Sequence, residues 1–224
     1  MDLTRQTDIC SPALIGSVSV SIIGTGGIGA AAAIAIAKLG VGWIELYDDD
    51  VVDEVNIPTQ MLRISDIGKP KVASVASLIK DLTDVTGKAV PRRVRPNTPL
   101  SPSHITVSAL DSVNARKDVW KAVVNSAHGG GNGDWYLDAR MGAEVFQLYT
   151  TRIGGEKWYG EALERLTEEG VPDEPCTAKA TIYTAFIAAG HIAHMVKRIV
   201  MGDSIPRVVV HNIKDFQLTK VEEG

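Results

Sequence analysis

The chain has 224 residues, 45% of them hydrophobic and 22% charged, with a formal net charge of −4. This length builds a sizeable core in one domain, and the acidic balance argues against a broad nucleic-acid footprint and gives no reason to expect an anionic membrane surface as partner. No basic segment followed by an apolar run opens the chain, so no secretory signal is expected. The two cysteines, Cys10 and Cys176, make neither a disulfide framework nor a CxxC pair for structural zinc, and a cytoplasmic location is expected.

In chain order, residues 1–17 read as a short arm or helix with a break at Ser11-Pro12. From Val18 an apolar run ends in Gly24-Thr25-Gly26-Gly27-Ile28-Gly29. A small-residue helix follows from Ala30 to Leu39, and a second apolar run closes on Asp48, Asp49 and Asp50. Val51–Leu62, polar and containing Pro58, predicts a loop or short helical turn. The helix Lys71–Leu82 keeps Val72, Val75, Leu78, Ile79 and Leu82 at helical spacing. A third strand is expected at Ala89–Val94, an edge or irregular one because of the run PRRVRP, and a fourth at Ile105–Leu110. A helix over Asn114–Ser126, a glycine connector at Gly129–Gly133 and strands at Trp135–Asp138 and Val145–Ile153 come next. Gly154–Pro175 reads as a polar crossover loop, Ala178–Val200 as a long buried helix rather than a membrane span, and Arg207–His211 with Phe216–Leu218 as a final strand pair. The alternation predicts a Rossmann-like α/β fold, its sheet parallel in the first half with an antiparallel C-terminal extension.

Strand, glycine turn, helix, strand and then a carboxylate is the order of a nucleotide site. Glycines let the backbone approach phosphate oxygens, and a helix N-terminus offers unpaired N–H groups to them. Gly29 and Asp50 are 21 positions apart, close to the ~20 expected for a ribose-binding acid. Lys71 at the start of its helix reads either as a phosphate-neutralising cation or as a solvated lysine. Asp111, after the fourth strand, reads as a Mg²⁺ ligand, a helix N-cap, or both.

The series GTGGIG, YDDDVVDEVN, Gln60, DIGKPKV, SALDS and YLDARMG resembles the ThiF/MoeB-like branch of the ubiquitin-activating-enzyme superfamily, in order and over most of the chain. The resemblance implies a single adenylation domain over residues 1–224. It would use MgATP to activate the C-terminal glycine of a ubiquitin-like or sulfur-carrier protein as an acyl-adenylate, with no nucleic-acid or membrane partner. On the family pattern Gly24, Gly26, Gly27 and Gly29 pass the nucleotide, and Asp48 and Asp50 form the acid-x-acid pair, with Asp50 on the ribose. Asn56, Gln60 and Lys71 line the phosphates, and Asp111 positions Mg²⁺. Arg5-Gln6 resembles the N-terminal Arg-Gln of the family, whose arginine reaches the partner subunit's nucleotide in homodimeric relatives; a homodimer is therefore implied.

The chain departs from the pattern in three places. The arginine of the family's Asn-x-x-Arg-Gln is Thr59 here, and the zinc CxxC pairs are missing. Arg140, where many relatives carry a small residue, reads either as a replacement cation at the phosphates or as a salt-bridged strand-end residue. Cys176 stands roughly where relatives carry a thioester- or persulfide-forming cysteine, and it reads either as that nucleophile or as an inert thiol. Among the rest, His191 and His194 share a helix face and read as packing residues. Trp158, Tyr159, Glu161, Glu164 and Arg165 read as surface or as a partner contact. Two alternatives stand beside adenylation: an NAD-dependent oxidoreductase on the same βαβ unit, and a catalytically degenerate nucleotide-binding module.

Overall fold

The computed structural model describes residues 1–126, 134–155, 157–167 and 181–221. The chain opens with a single 3₁₀ turn at Thr4–Gln6 and a short helix α1 (Pro12–Gly16), whose proline stands at the first turn, where no amide donor is needed. This arm is tied to the end of helix α2 (Gly27–Leu39): Gln6 Nε2 donates to the Leu39 carbonyl at 2.7 Å. Helix α2 begins inside the glycine motif, at Gly27 rather than Ala30, because Gly26 serves as its N-cap.

Strands β1 (Ser19–Ile23), β2 (Trp43–Tyr47), β3 (Thr86–Val90), β4 (Ile105–Ser108) and β5 (Trp135–Gly142) pair in parallel. Strands β6 (Val145–Arg152), β7 (Val208–Asn212) and β8 (Gln217–Val221) extend the sheet antiparallel from β5. Among the described residues they form one sheet in the order β3-β2-β1-β4-β5-β6-β7-β8. The expected parallel half with its antiparallel extension is what the fold contains.

Strand alternation divides the core. Ile22, Leu46 and Leu137 pack with α2, helix α3 (Lys71–Leu82) and helix α6 (Ile182–Met201) on one face. Ile23, Tyr47 and Tyr136 pack with helix α4 (Val113–Ser126) and helix α5 (Trp158–Glu164) on the other. The small residues Gly29 to Ala33 are buried and let α2 lie close to its neighbours α3 and α6. The chain leaves β1 for one face and β4 for the other, so the adjacent C-terminal ends of these strands open a crevice of the kind where α/β sheets bind ligands. Register aligns the edge: Ile23 stands opposite Tyr47 and Ser108, and Ser108 opposite Asp138.

Several boundaries differ from expectation. The third strand lies at Thr86–Val90, not Ala89–Val94, because Pro91 has no amide to donate while Thr86 and Gly87 pair with Trp43 and Ile44. The fifth strand continues past Asp138 to Gly142, since a tight hairpin with β6, its turn at positive-φ Ala143, supplies partners out to that residue. The last strands run Val208–Asn212 and Gln217–Val221. The expected crossover loop contains α5, because Tyr159 and Leu163 bury against the sheet at helical spacing. Helix α6 begins at Ile182 among the described residues, capped by Thr181. None of these helices is long and apolar enough to cross a membrane.

Candidate nucleotide-binding site

The glycine loop leaves β1 with the Gly24 amide donating to the Tyr47 carbonyl at 2.8 Å. Two of its glycines are sterically obligatory. Gly24 has φ +91°, and a Cβ there would stand 2.5 Å from the Ala109 carbonyl oxygen; a Cβ on Gly29 would stand 1.8 Å from the Gly24 carbonyl oxygen. Gly26 has open space around it, and a Cβ on Gly27 would meet only the Thr59 carbonyl, at 3.3 Å. The first turn of α2 therefore presents bare backbone N–H groups, a cradle for phosphate oxygens. Between them, buried Thr25 donates its amide and its hydroxyl to Asp48 Oδ2 at 2.6 and 3.0 Å. Asp48 Oδ1 accepts from the Asp50 amide at 2.9 Å, so Asp48 buttresses the loop and orients the next acid.

The segment after β2 is zipped to the start of α3. Val52 N donates to Lys69 O and Lys71 N to Asp50 O, both at 2.9 Å. This brings Lys71 Nζ to 2.7 Å from Asp50 Oδ2; the lysine side chain is 8% exposed and the aspartate 63%. Asn56 Oδ1 accepts from the Asp53 amide at 2.9 Å, closing the short turn Glu54–Asn56. The Thr59 carbonyl thus lies near Gly27, and the next residue, Gln60, has its Oε1 buried without a hydrogen-bond partner among the described residues. A buried acceptor left unmatched beside open backbone donors fits a site built for a polar ligand.

Asp111 is exposed just beyond β4, with no hydrogen bond or ion pair among the described residues. Helix capping falls to its neighbour: Ser112 Oγ accepts from the Ala115 amide at 3.2 Å. A free carboxylate beside a phosphate cradle suits Mg²⁺, which is held by one or two carboxylates together with substrate phosphates. Asp48, Asp49 and Asp50 also bring carboxylate oxygens within 4.8 Å of one another, but Thr25 and Lys71 engage two of the three.

Arg140 lies at the far end of β5, its Nε and Nη2 both 2.6 Å from Asp138 Oδ2 and its guanidinium 4.2 Å from the Tyr149 ring centroid. Burial works against its charge, and Asp138, Tyr159 and Tyr149 outweigh burial to raise its pKa. Sequence reasoning did not single out Asp138, which is fully buried. It also accepts from Tyr159 Oη at 2.9 Å and has Arg116 Nε 3.4 Å from Oδ1, while Arg116 Nη2 donates to the Leu110 carbonyl. The available signal was the alternation of YLDAR, which puts Asp138 and Arg140 on one strand face. Burial pushes the Tyr159 phenol well up, so it stays a donor.

The structure does not bring Arg5 to this site. It sits in the turn bound to Leu39, at the opposite edge of the sheet. Cys176 lies outside the described residues, and Cys10 is a buried thiol whose pKa burial raises. His191 Nε2 lies 2.9 Å from His211 Nδ1 and stacks on Phe146, a packing role as expected. A hollow of about 200 Å³, lined by Leu14, His104 and Trp135, is at the edge away from the glycine loop.

The ThiF family profile matches residues 13–223. The chain belongs to the ThiF family. It is 34% identical over 105 residues to the SAMP-activating enzyme E1 of Haloferax volcanii, covering 45% of this chain and 39% of that one. It is 43% identical over 81 residues to the adenylyltransferase and sulfurtransferase uba4 of Aspergillus niger, covering 36% and 17%. A 65-residue stretch is 42% identical to the tRNA threonylcarbamoyladenosine dehydratase of Bacillus subtilis, covering 29% and 26%. The matched stretch is thus well under half the length of these relatives. In fold, PaaA superposes with a TM-score of 0.71 at 20% identity over 99% of this chain and 68% of that one. E. coli MccB with ATP superposes at 0.71 and 16% identity over 95% and 66%. At these identities the likeness is one of fold.

Proposed function

We propose that this ThiF-family chain is an ATP-dependent adenylyltransferase that activates the C-terminal glycine of a ubiquitin-like or sulfur-carrier protein, working as a homodimer. The observation that carries the reading is the convergence of the open glycine cradle, the Asp50–Lys71 pair and unpartnered Asp111 on one crevice edge. The names of the relatives, an activating enzyme E1 and an adenylyltransferase, support it.

In the proposed reaction the N–H groups around Gly26 and Gly27 bind phosphate oxygens, and Asp50 takes the ribose hydroxyls. Asn56, Gln60 and Lys71 are assigned to the triphosphate. Asp111 would hold Mg²⁺, which supplies charge neutralisation on the phosphates when bound. The glycine carboxylate oxygen attacks the α-phosphorus, the bond to the bridging oxygen toward the β-phosphate breaks, and pyrophosphate leaves with that electron pair. No side-chain nucleophile is needed for this step; positioning and charge neutralisation carry it. Arg5 lies at the edge away from its own crevice, so its role is assigned to the partner subunit's nucleotide. Cys176 is assigned the later covalent step: its thiolate would displace AMP from the acyl-adenylate to form a thioester, or would take a sulfane sulfur from a persulfide donor, whose thiol leaves, to carry a persulfide.

ATP–pyrophosphate exchange in the presence of a Gly-Gly-terminated carrier tests the reading. Carrier-dependent exchange is expected. Thermal stabilisation by NADH and not by MgATP would overturn it in favour of an oxidoreductase, a reading that leaves Lys71 and Asp111 without a role. MgATP binding without exchange would make the chain a degenerate module, the reading that Thr59 favours.

A further inference from the structure

The cluster around Asp138 holds more positive than negative charge. Arg116 and Arg140 both lean on this one carboxylate, and among the described residues no second carboxylate pairs with either. Arg116 Nε and Asp138 Oδ1 are both buried and face each other at 3.4 Å as an ion pair, and neither has a hydrogen-bond partner among the described residues, so one of the cluster's two positive charges is left unmatched there. Uncompensated charge taken out of water is costly unless an anion meets it. The cluster is also wired to the crevice. Arg116 donates to the carbonyl of Leu110, the residue before Asp111, and the neighbouring Ala109 carbonyl abuts Gly24. Arg140 stands two residues past Asp138 on the strand beside β4, toward the edge where the glycine loop opens. The cation expected at 59 is missing, although the Thr59 carbonyl lies where it would meet a Cβ on Gly27.

We propose that Arg140 supplies the cation that position 59 lacks, binding nucleotide phosphate from the end of β5, and that Asp138 is its positioning residue. This rests on the adenylyltransferase reading for the identity of the anion. Asp138 Oδ2 takes two donors from Arg140 and one from Tyr159, while the Tyr149 ring supports the guanidinium from one side. That combination fixes a long side chain whose free rotation would otherwise be lost on binding. Arg116 shares the remaining oxygen and holds the Asp111 loop, so one buried carboxylate sets the distance between the proposed phosphate cation and the proposed metal ligand.

The test is a set of variants in ATP–pyrophosphate exchange, with kcat and KM for ATP resolved. Arg140→Ala is expected to raise the KM for ATP by roughly tenfold to a hundredfold, the range for one charge-assisted donor. Adding Thr59→Arg to it should recover most of that loss, which relief of a structural defect would not. Asp138→Asn should raise the KM in the same direction, and combined with Arg140→Ala it should be no worse than Arg140→Ala alone. An unchanged KM in Arg140→Ala, no recovery by Thr59→Arg, or additive effects of the two cluster variants would each overturn the assignment. If Asp138→Asn does not fold, the Arg140→Ala and Thr59→Arg pair still decides. If the wild-type protein shows no exchange, the adenylyltransferase reading fails, and MgATP affinity by thermal shift on the same variants judges the phosphate assignment separately.

Discussion

Lys71 Nζ lies 2.7 Å from Asp50 Oδ2, although the two residues belong to different elements. The backbone zipper between Asp50–Val52 and Lys69–Lys71 holds them together, so the pair is preset rather than assembled by ligand. Because the aspartate remains well exposed, removing the lysine should cost only about 1 kcal/mol of stability. Lys71→Ala should nevertheless weaken MgATP binding by about tenfold or more, since a charge-assisted donor to phosphate is lost. Calorimetric affinity beside a thermal melt separates the two effects; equal affinity in the variant would remove Lys71 from the site.

Asp111 is exposed and has no partner among the described residues, so Asp111→Ala should melt within a degree or two of the wild type, as most exposed substitutions do. Carrier-dependent pyrophosphate exchange should be abolished at every Mg²⁺ concentration. Near-normal exchange would refute the metal assignment.

The glycine loop predicts a contrast in folding stability. Gly29→Ala forces a Cβ into the Gly24 carbonyl and should destabilise by about 1–3 kcal/mol, whereas Gly26→Ala meets open space and should stay within about 0.5 kcal/mol. Urea unfolding of both variants checks this, and equal midpoints would contradict the loop geometry.

Arg5 cannot serve its own crevice from the opposite edge. On the proposed homodimer, a mixture of inactive Arg5→Ala and inactive Asp111→Ala protomers should therefore regain exchange, because a mixed dimer would contain one site with both residues intact. No recovery after subunit exchange, shown by native mass spectrometry, would remove the trans role.

Acid should loosen the fold through the helix-to-strand histidine contact. Burial, then His211 and His194, hold the His191 imidazole below its usual value. The unfolded chain thus takes up protons first: stability is intact above about pH 6.5 and falls as pH drops through the folded value, by at most about 1.4 kcal/mol per pH unit for one proton. His191→Gln should flatten this slope between pH 7 and 5. An unchanged slope would assign it elsewhere, His194 being depressed by burial and nearby Arg198 and Lys197 as well.

Much of the architecture was legible in the chain. Helix α3 occupies the residues its apolar spacing marks, Lys71 to Leu82. The glycine motif opens a helix and the acids Asp48 to Asp50 close a strand, as read. Strand ends were less legible: β5 runs on because β6 offers it partners, which the residues of β5 alone do not announce. Tyr159, among Glu161, Glu164 and Arg165, reads as surface or as a partner contact, and its burial follows only from α5 lying across Tyr136 and Trp120.

The sequence by itself determined the local conformations: where Cβ is forbidden, where proline ends a strand, where apolar spacing turns helical. It also carried the family pattern and the missing arginine at Thr59. Only the tertiary structure decided which charges meet. Strand order sets β4 between β1 and β5, bringing Gly24, Asp111 and Asp138 to one edge, while the same packing carries Arg5 to the other. Backbone preferences are short-range, whereas the pairing of Asp50 with Lys71, or of Asp138 with Arg116, depends on register and helix placement that no local stretch encodes.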